Sequence, residues 1–212
     1  MVGTSRSRFV SVRLAAGFAL SLLAAYAGSG AGVGAARAEM AQGLAAAKAG
    51  DFERAYAEWL PLAEEGNTAA QYNIAQLYRR GKGVKRDYAK AAEWFGKAAQ
   101  FFHTPSRYNL AVMYEKGIGV PVDYTRAHDL YLLAANQGFR LAQFNLAVMY
   151  SIGQGVPRSY PRAYMWYSLA TAQGDEGAEK NLELLIEQMA PEQITLAQVM
   201  LARWKKRWAK AE

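Results

Sequence analysis

The stretch QYNIAQLYRRGKGV, residues 71–84, ends in two glycines that flank a lysine and follow two arginines. The backbone N–H groups of a glycine-rich loop beside basic residues can bind a phosphate, so this stretch suggests nucleotide chemistry. A pair of glycines is also typical of a tight bend between two helices. The first interpretation predicts an enzyme, and the second predicts a binding scaffold.

Other residue types that carry chemistry are few. The chain has two histidines, His103 and His128, which are not at metal-ligand spacing from each other. It has no cysteine, which excludes disulfides, thiol catalysis and thiolate metal sites. No serine lies in a nucleophile-elbow pattern, and the adjacent acids Glu64 and Glu65 point apart on a helix. The sequence therefore predicts a protein without catalytic residues, metal site or cofactor.

Residues 1–38 have the pattern of a secretory signal peptide. Three arginines give a positive start: Arg6, Arg8 and Arg13. An apolar run at residues 14–26 follows, and small residues then lead to Ala36-Arg37-Ala38, an A-x-A cleavage pattern. We expect cleavage after Ala38 and a periplasmic or secreted mature protein, with an uncleaved N-terminal anchor as the alternative.

The charge of the chain is concentrated in part at this N-terminus. The whole chain has 25 basic and 18 acidic residues, a formal charge of +7. Four of the basic residues and none of the acidic ones lie in residues 1–38, which leaves 21 against 18, or +3. This mild excess argues against nucleic acid as a partner.

The remaining sequence repeats itself every 36 residues. QYNIAQLYRRGKGV begins at Gln71, RYNLAVMYEKGIGV at Arg107 and QFNLAVMYSIGQGV at Gln143. A fixed period of this length predicts stacked helical repeats. Alanines at helical spacing keep the same period in the second half of each unit: Ala91, Ala127 and Ala163.

Each unit is predicted to contain two helices joined by the glycine pair. The first glycine ends the first helix in a left-handed conformation, and the second allows the chain to reverse: Gly81 and Gly83, Gly117 and Gly119, Gly153 and Gly155. Three residues are predicted to cap the second helices: Asp87, Asp123 and Ser159. Three evenly spaced copies favour a structural turn over a phosphate loop.

The repeat predicts an all-α, right-handed α-solenoid of about ten stacked helices. The expected units lie near 40–66, 67–102, 103–138 and 139–174, and the first helix of the first unit near 40–48. Residues 175–212 are expected to form C-terminal capping helices, because a solenoid must cover its last apolar face. The final helix would begin at Pro191 and carry one apolar stripe: Ile194, Ala197, Leu201, Trp204 and Trp208.

Residues 51–174 resemble the Sel-one-like repeat family, a branch of the tetratricopeptide-type helical repeats. The resemblance is carried by AAQYNIAQLYRRGKGV and by LAQFNLAVMYSIGQGVPRSYPRAYMWYSLATAQG. One departure is Phe102, which stands where other units end in Gly66, Gly138 or Gly174. The resemblance implies that the first helices line a concave groove that binds a protein or an extended peptide.

The register of the repeat predicts which side chains face that groove: Tyr72, Asn73, Gln76, Arg79, Tyr108, Asn109, Val112, Glu115, Phe144, Asn145, Val148 and Ser151. In the family, an asparagine at this position often contacts the backbone of a bound peptide, so Asn73, Asn109 and Asn145 would form a ladder. Alternatively, each asparagine bonds an adjacent repeat and serves stacking only.

The function predicted from these features is a non-catalytic, exported, monomeric scaffold that binds a protein or peptide and regulates an envelope partner. One alternative is an enzyme-like repeat protein acting on cell-wall or β-lactam substrates, although such relatives are cysteine-rich. Another is a membrane-attached repeat protein, held by its N-terminus or by the helix that carries Trp204 and Trp208.

Overall fold

A computed structural model describes residues 30–208 of the 212-residue chain, and describes side chains from residue 34 to residue 207. The chain divides into two compact units, Met1–Arg37 and Ala38–Glu212. The signal-peptide prediction depends mainly on residues 1–29, which lie outside the described residues. Within the described part, no helix is both long and apolar enough to cross a membrane.

The described residues form ten α-helices and no strand, which confirms the predicted all-α solenoid. In chain order the helices are α1 (Gly30–Lys48), α2 (Phe52–Glu64), α3 (Thr68–Arg80), α4 (Tyr88–Gln100), α5 (Thr104–Lys116), α6 (Tyr124–Asn136), α7 (Arg140–Ile152), α8 (Tyr160–Thr171), α9 (Glu176–Ile186) and α10 (Pro191–Trp208). Each helix from α2 to α8 packs against the next, so successive pairs stack along one axis. The helix expected near 40–48 ends at Lys48 and begins earlier, at Gly30.

Small side chains at fixed places allow the helices to approach closely. Six alanines at two positions of the repeat are completely buried: Ala75, Ala111, Ala147, Ala91, Ala127 and Ala163. Larger side chains of the second helices, such as Phe95 and Tyr131, fill the space between pairs and are also fully buried. Because each pair covers the apolar face of the next, stability comes mainly from contacts between neighbours.

The first glycine of each turn confirms its predicted role. Gly81, Gly117 and Gly153 follow α3, α5 and α7 with φ of 65°, 66° and 78°. Each donates its N–H to the carbonyl four residues earlier, which satisfies one of the free acceptors at the helix end.

The second glycine of each turn has an additional role that the sequence did not show. Gly83, Gly119 and Gly155 also have positive φ, and a Cβ on any of them would collide with the preceding repeat. In each case the collision is with the first residue of the preceding second helix: Phe52, Tyr88 and Tyr124. The glycine pair is therefore a turn and a repeat-to-repeat contact, not a phosphate loop.

The predicted caps of the second helices are confirmed at two of three positions. Asp87 and Asp123 accept hydrogen bonds from the N–H groups three residues on, at 3.0 and 2.9 Å. For Ser159 the prediction is wrong, because its side chain makes no capping bond although its backbone is extended as a cap requires. Pro161, in the first turn of α8, has no N–H and reduces the donors that a cap could satisfy.

The two C-terminal helices pack in different ways. Helix α9 continues the stacking, because it packs against α8 as α7 packs against α6. Helix α10 begins at Pro191, as predicted, and packs back against α8. Four of its five predicted stripe residues pack against the core, and the side chain of the fifth lies outside the described residues: Ile194, Ala197, Leu201 and Trp204, then Trp208.

Candidate functional site

The residues predicted to face a binding groove lie together on the face formed by the first helices. All of them are partly exposed, while their neighbours along the helix, such as Ile74 and Leu146, are fully buried. We call this surface the first-helix face. Its members are the predicted set: Tyr72, Asn73, Gln76, Arg79, Tyr108, Asn109, Val112, Glu115, Phe144, Asn145, Val148 and Ser151.

The N-terminal part of this face contains a cleft of about 230 Å³ between α1 and α3. Trp59 of α2 lies in the cleft, and Tyr72, Asn73 and Gln76 line its α3 side. The oxygen of the Gln76 amide accepts two hydrogen bonds from Arg79, at 3.1 and 2.7 Å. The side-chain amide of Asn73 bonds no other residue within the described part of the chain, so both its donor and its acceptor are available to a ligand.

The rim of this cleft is basic. Arg80 and Lys82 line it, and the Nζ of Lys82 lies 4.4 Å from the ring centre of Phe52. Lys85 and Arg86 are exposed in the same turn. Lysine and arginine held beside an aromatic and amide-lined cleft favour a ligand with negative charge.

The asparagine farther along the face has a structural partner. Asn145 donates to the hydroxyl of Tyr131 at 2.9 Å, and that hydroxyl donates to Glu115 at 2.6 Å. Burial and the neighbouring Glu115 carboxylate raise the pKa of Tyr131 far above its ordinary value, so the phenol stays protonated. This chain of bonds joins α5, α6 and α7, which favours the stacking role for Asn145.

The three asparagines of the predicted ladder are therefore not equivalent. Asn109 donates to the carbonyl of Pro105 in its own helix at 2.7 Å. Tyr131 lies fourteen residues before Asn145, and the residue fourteen before Asn109 is Phe95. Phenylalanine has no hydroxyl that could accept a hydrogen bond from the asparagine. The ladder is continuous in sequence, but its free hydrogen-bonding capacity is concentrated at Asn73.

A second cleft, of about 330 Å³, lies at the other end of the first-helix face, between α7 and α9. Val148, Ser151 and Asn181 line it, above Tyr167 of α8. Asn181 donates to the Tyr167 hydroxyl at 3.4 Å, the same relation that joins Asn145 to Tyr131. The sequence signal for Asn181 was its place 36 residues after Asn145.

The two histidines both have structural partners. The Nδ1 atom of His103 lies 2.8 Å from Ser106 Oγ at the start of α5. His128 is buried, with Nε2 2.9 Å from the Tyr150 hydroxyl and Nδ1 3.1 Å from Asp129. It joins α6 to α7. Within the described residues, no three side chains of the types that bind metal ions come together.

An all-α solenoid of stacked helix pairs defines a helical-repeat protein. The chain belongs to the Sel1 repeat family, whose model matches residues 68–100, 104–139 and 140–175. These matches coincide with the units α3–α4, α5–α6 and α7–α8. Sel1 repeats generally mediate protein–protein interactions and form interaction scaffolds.

Two solved structures have a similar fold. The crystal structure of a Sel1 repeat protein from Oxalobacter formigenes is 28% identical, with a TM-score of 0.66. The match covers 69% of this chain and 62% of that chain. A protective antigen of uropathogenic Escherichia coli strains, which displays an SLR fold, is 23% identical with a TM-score of 0.58.

The match to the antigen covers 85% of this chain and 48% of the antigen. The chain thus spans less than two thirds of the length of either protein. No protein of established function matches the sequence significantly.

Proposed function

We propose that this protein is a non-catalytic, exported scaffold that binds an extended, acidic segment of a protein partner on its first-helix face. The observation that carries the proposal is the unpartnered Asn73 amide in a cleft with a basic rim. A side-chain amide can donate to a peptide carbonyl and accept from a peptide N–H at the same time, which suits an extended backbone. Arg80 and Lys82 would attract the acidic side chains of the same segment.

Export is part of the proposal and is supported by the pattern of residues 1–38. In the cell of origin, fractionation and N-terminal sequencing would test it. We expect the mature N-terminus at Glu39, which follows Ala38. A chain that begins at Met1 and sediments with the membrane would show an uncleaved anchor and contradict the exported, free scaffold.

The binding site can be tested by a photo-crosslinking amino acid at Gln76, inside the N-terminal cleft. The matched control is the same amino acid at Lys97, which is exposed on a second helix. We expect a protein adduct at position 76, none at 97, and loss of the adduct when Asn73→Ala is added. An adduct that forms equally at both positions, or survives Asn73→Ala, would contradict the proposed site.

Asn145→Ala provides a second control on the same face. Removing this side chain leaves the Tyr131 hydroxyl with one partner fewer, so we expect a loss of about 1 kcal/mol in unfolding free energy. The crosslink at Gln76 should nevertheless form as in the unmodified chain. Asn73→Ala should behave in the opposite way, with unchanged stability and a lost crosslink.

A further inference from the structure

The face formed by the second helices contains a larger cleft than either cleft of the first-helix face. It has a volume of about 500 Å³, with α4 and α6 as walls and α5 as floor. Its apolar lining includes Leu110, Leu130 and Leu133, and its upper wall includes Gly96. We call it the middle groove. It lies on the opposite side of the helix pairs from Asn73, so it is separate from the proposed peptide site.

The repeat places an equivalent surface 36 residues later, and there it is covered. In this third groove, formed by α6, α7 and α8, the C-terminal helix α10 packs against α8. The ring of Trp204 in α10 lies 5.9 Å from the ring of Trp166, and its Nε1 donates to Asn136 of α6 at 3.3 Å. The protein itself therefore shows that a helix with a large aromatic side chain occupies this kind of groove.

Burial at equivalent positions measures the difference between the two grooves. Leu133 in the middle groove is 46% exposed, while Leu169, its equivalent in the third groove, is 6% exposed. Trp166 is 3% exposed, and its equivalent Leu130 is only partly buried. The middle groove thus has the apolar wall of a helix-binding site without a helix from the described part of the chain on it.

Gly96 gives the middle groove additional room. It lies inside α4 without the positive φ that would require glycine, and a Cβ there would meet only Leu110, at 4.0 Å. Its equivalent in the third groove is Leu132. Glycine inside a helix is less favourable than alanine by about 1 kcal/mol, so the backbone gains nothing from it. What it provides is space between α4 and α6.

Arg107 gives the middle groove a charge that the other repeats lack. Its equivalents are Gln71 and Gln143, whose amides donate to a carbonyl eight residues earlier. Arg107 makes the same bond to Ala99 through Nε, at 3.0 Å, and extends its guanidinium into the groove lining. The side chain is 5% exposed, and no carboxylate among the described residues pairs with it.

The guanidinium of Arg107 is also held in place. One Nη donates to Gln137 at 3.1 Å, and the group lies 4.8 Å from the ring centre of Phe102. A fixed, largely desolvated cation beside apolar surface binds a carboxylate more strongly than an exposed one does. The second arginine of the groove, Arg126, already pairs with Asp123 at 3.3 Å.

We propose that the middle groove binds an amphipathic helix of a partner protein, which places a large apolar side chain over Leu130 and Leu133 and a carboxylate on Arg107. The α10 helix of a second copy is a poor occupant, since the end that carries Trp204 is basic: Arg203, Lys205, Lys206 and Arg207. An acidic residue near the aromatic one is the feature that would distinguish the partner helix from α10.

Two fluorescein-labelled peptides based on residues 191–208 test this proposal against the full chain. One carries Arg203→Glu and Arg207→Glu, on either side of Trp204, and the other carries glutamine at both positions. By fluorescence anisotropy, we expect the glutamate peptide to bind about tenfold more tightly than the glutamine peptide, because one desolvated ion pair separates them. The peptide with the natural sequence should bind most weakly of the three.

Variants of the groove identify where the peptide binds. Leu133→Asn, which makes the exposed apolar wall of the groove polar without adding a charge, should weaken both peptides by at least about tenfold, because it removes the apolar contact with the peptide. Arg107→Gln, which restores the residue of the other repeats, should make the two peptides bind equally. Asn73→Ala, which alters the proposed peptide site, should leave the affinities of both labelled peptides unchanged, so this test is independent of that site. Circular dichroism confirms that each variant is folded.

Four outcomes would overturn the proposal. The first is equal binding of the two peptides to the unmodified chain, and the second is binding that Leu133→Asn does not affect. The third is no binding at about 1 mM peptide, where even a contact worth about 4 kcal/mol would be seen. The fourth is a dimer in light scattering that Leu133→Asn disrupts. The second outcome would place the peptide in the third groove, in competition with α10. The last would make a second copy the occupant.

Discussion

The middle and third grooves are the same feature of the repeat, and they differ in what covers them. Leu133 and Leu169 have the same residue type and the same place in their helices, but 46% of the first is exposed and only 6% of the second. The third groove is covered by α10, and the middle groove has no such cover in the described part of the chain. Burial in a solenoid thus depends on what docks on a position as well as on its residue type.

The residues around the open groove also depart most from the repeat. Phe102 takes the left-handed conformation, with φ of 62°, that glycine takes at the end of the next unit. Arg107 stands where the next unit has Gln143, and Gly96 where it has Leu132. Strain, an unpaired charge and a small residue thus meet at one place, which is typical of a functional surface.

The largest expected effect comes from charging the two equivalent leucines. Leu169→Asp places a carboxylate in the packed core of the third groove, so we expect a loss of about 3–4 kcal/mol in unfolding free energy. Leu133→Asp should change it by less than about 0.5 kcal/mol, because nearly half of that side chain is already in water. Urea unfolding followed by circular dichroism measures both. Similar losses for the two variants would mean that the grooves are covered alike.

Removing the aromatic side chain of α10 should have the next largest effect. Trp204→Ala loses the contacts with Trp166 and Asn136, and because Trp204 is partly buried we expect a loss of about 2–3 kcal/mol. Thermal unfolding measures it, with the exposed Lys205→Ala in the same helix as control. A melting temperature that stays the same in Trp204→Ala would show that α10 does not stabilise the third groove.

The strained residue of the middle repeat offers a gain in stability. Phe102→Gly removes a left-handed strain of about 1–2 kcal/mol and loses a contact with Arg107 worth about 0.5–1 kcal/mol, so a net gain of up to about 1.5 kcal/mol is expected. The matched control is Gly138→Ala, where a Cβ meets nothing and the strain alone should lower stability by about 1 kcal/mol. Destabilisation by Phe102→Gly would show that the contact with Arg107 outweighs the strain.

The smallest effect concerns pH. Burial lowers the pKa of His103 below its ordinary 6.5, so the unfolded chain takes up this proton more readily than the folded one. Neutral His103 thus contributes its full stabilisation at pH values above 6.5, and this contribution is lost as the pH falls below that value. Ser106 Oγ and the Tyr72 ring lie against this imidazole.

His103→Asn tests this linkage. Asparagine does not titrate in this range, and at the equivalent cap Asn67 accepts from Ala70 N–H at 3.0 Å. We expect stability to fall less steeply between about pH 7 and pH 5 in the variant, as measured by urea midpoints across that range. If stability falls just as steeply in the variant, groups other than His103 cause the loss of stability at low pH.

Most of the fold was predictable because the same turn and capping residues recur in successive repeats. The glycines after α3, α5 and α7, the two aspartate caps and the start of α10 at Pro191 follow from backbone rules that need no tertiary information. The cap at Ser159 was mispredicted, since whether a side chain makes its bond depends on geometry and not on residue type.

The candidate sites were predictable only in part. Periodicity placed Asn73 and Asn145 on one face, but the partner of each asparagine is set by the residue fourteen positions before it. Tyr131 offers Asn145 a hydroxyl, and Trp59 cannot offer one to Asn73. The sequence did not distinguish Arg107 either, because an arginine on a helix is expected to be exposed and only the structure shows that this one is buried.

The sequence by itself determined the helical repeat, its period of 36 residues and the faces on which its side chains lie, because these follow from the spacing of alanines, aromatics and glycines. Only the tertiary structure decided which groove is covered and which is open. That outcome depends on the direction in which α10 leaves the stack at Pro191 and on its packing against α8, and such contacts between distant segments leave no periodic signal in the chain.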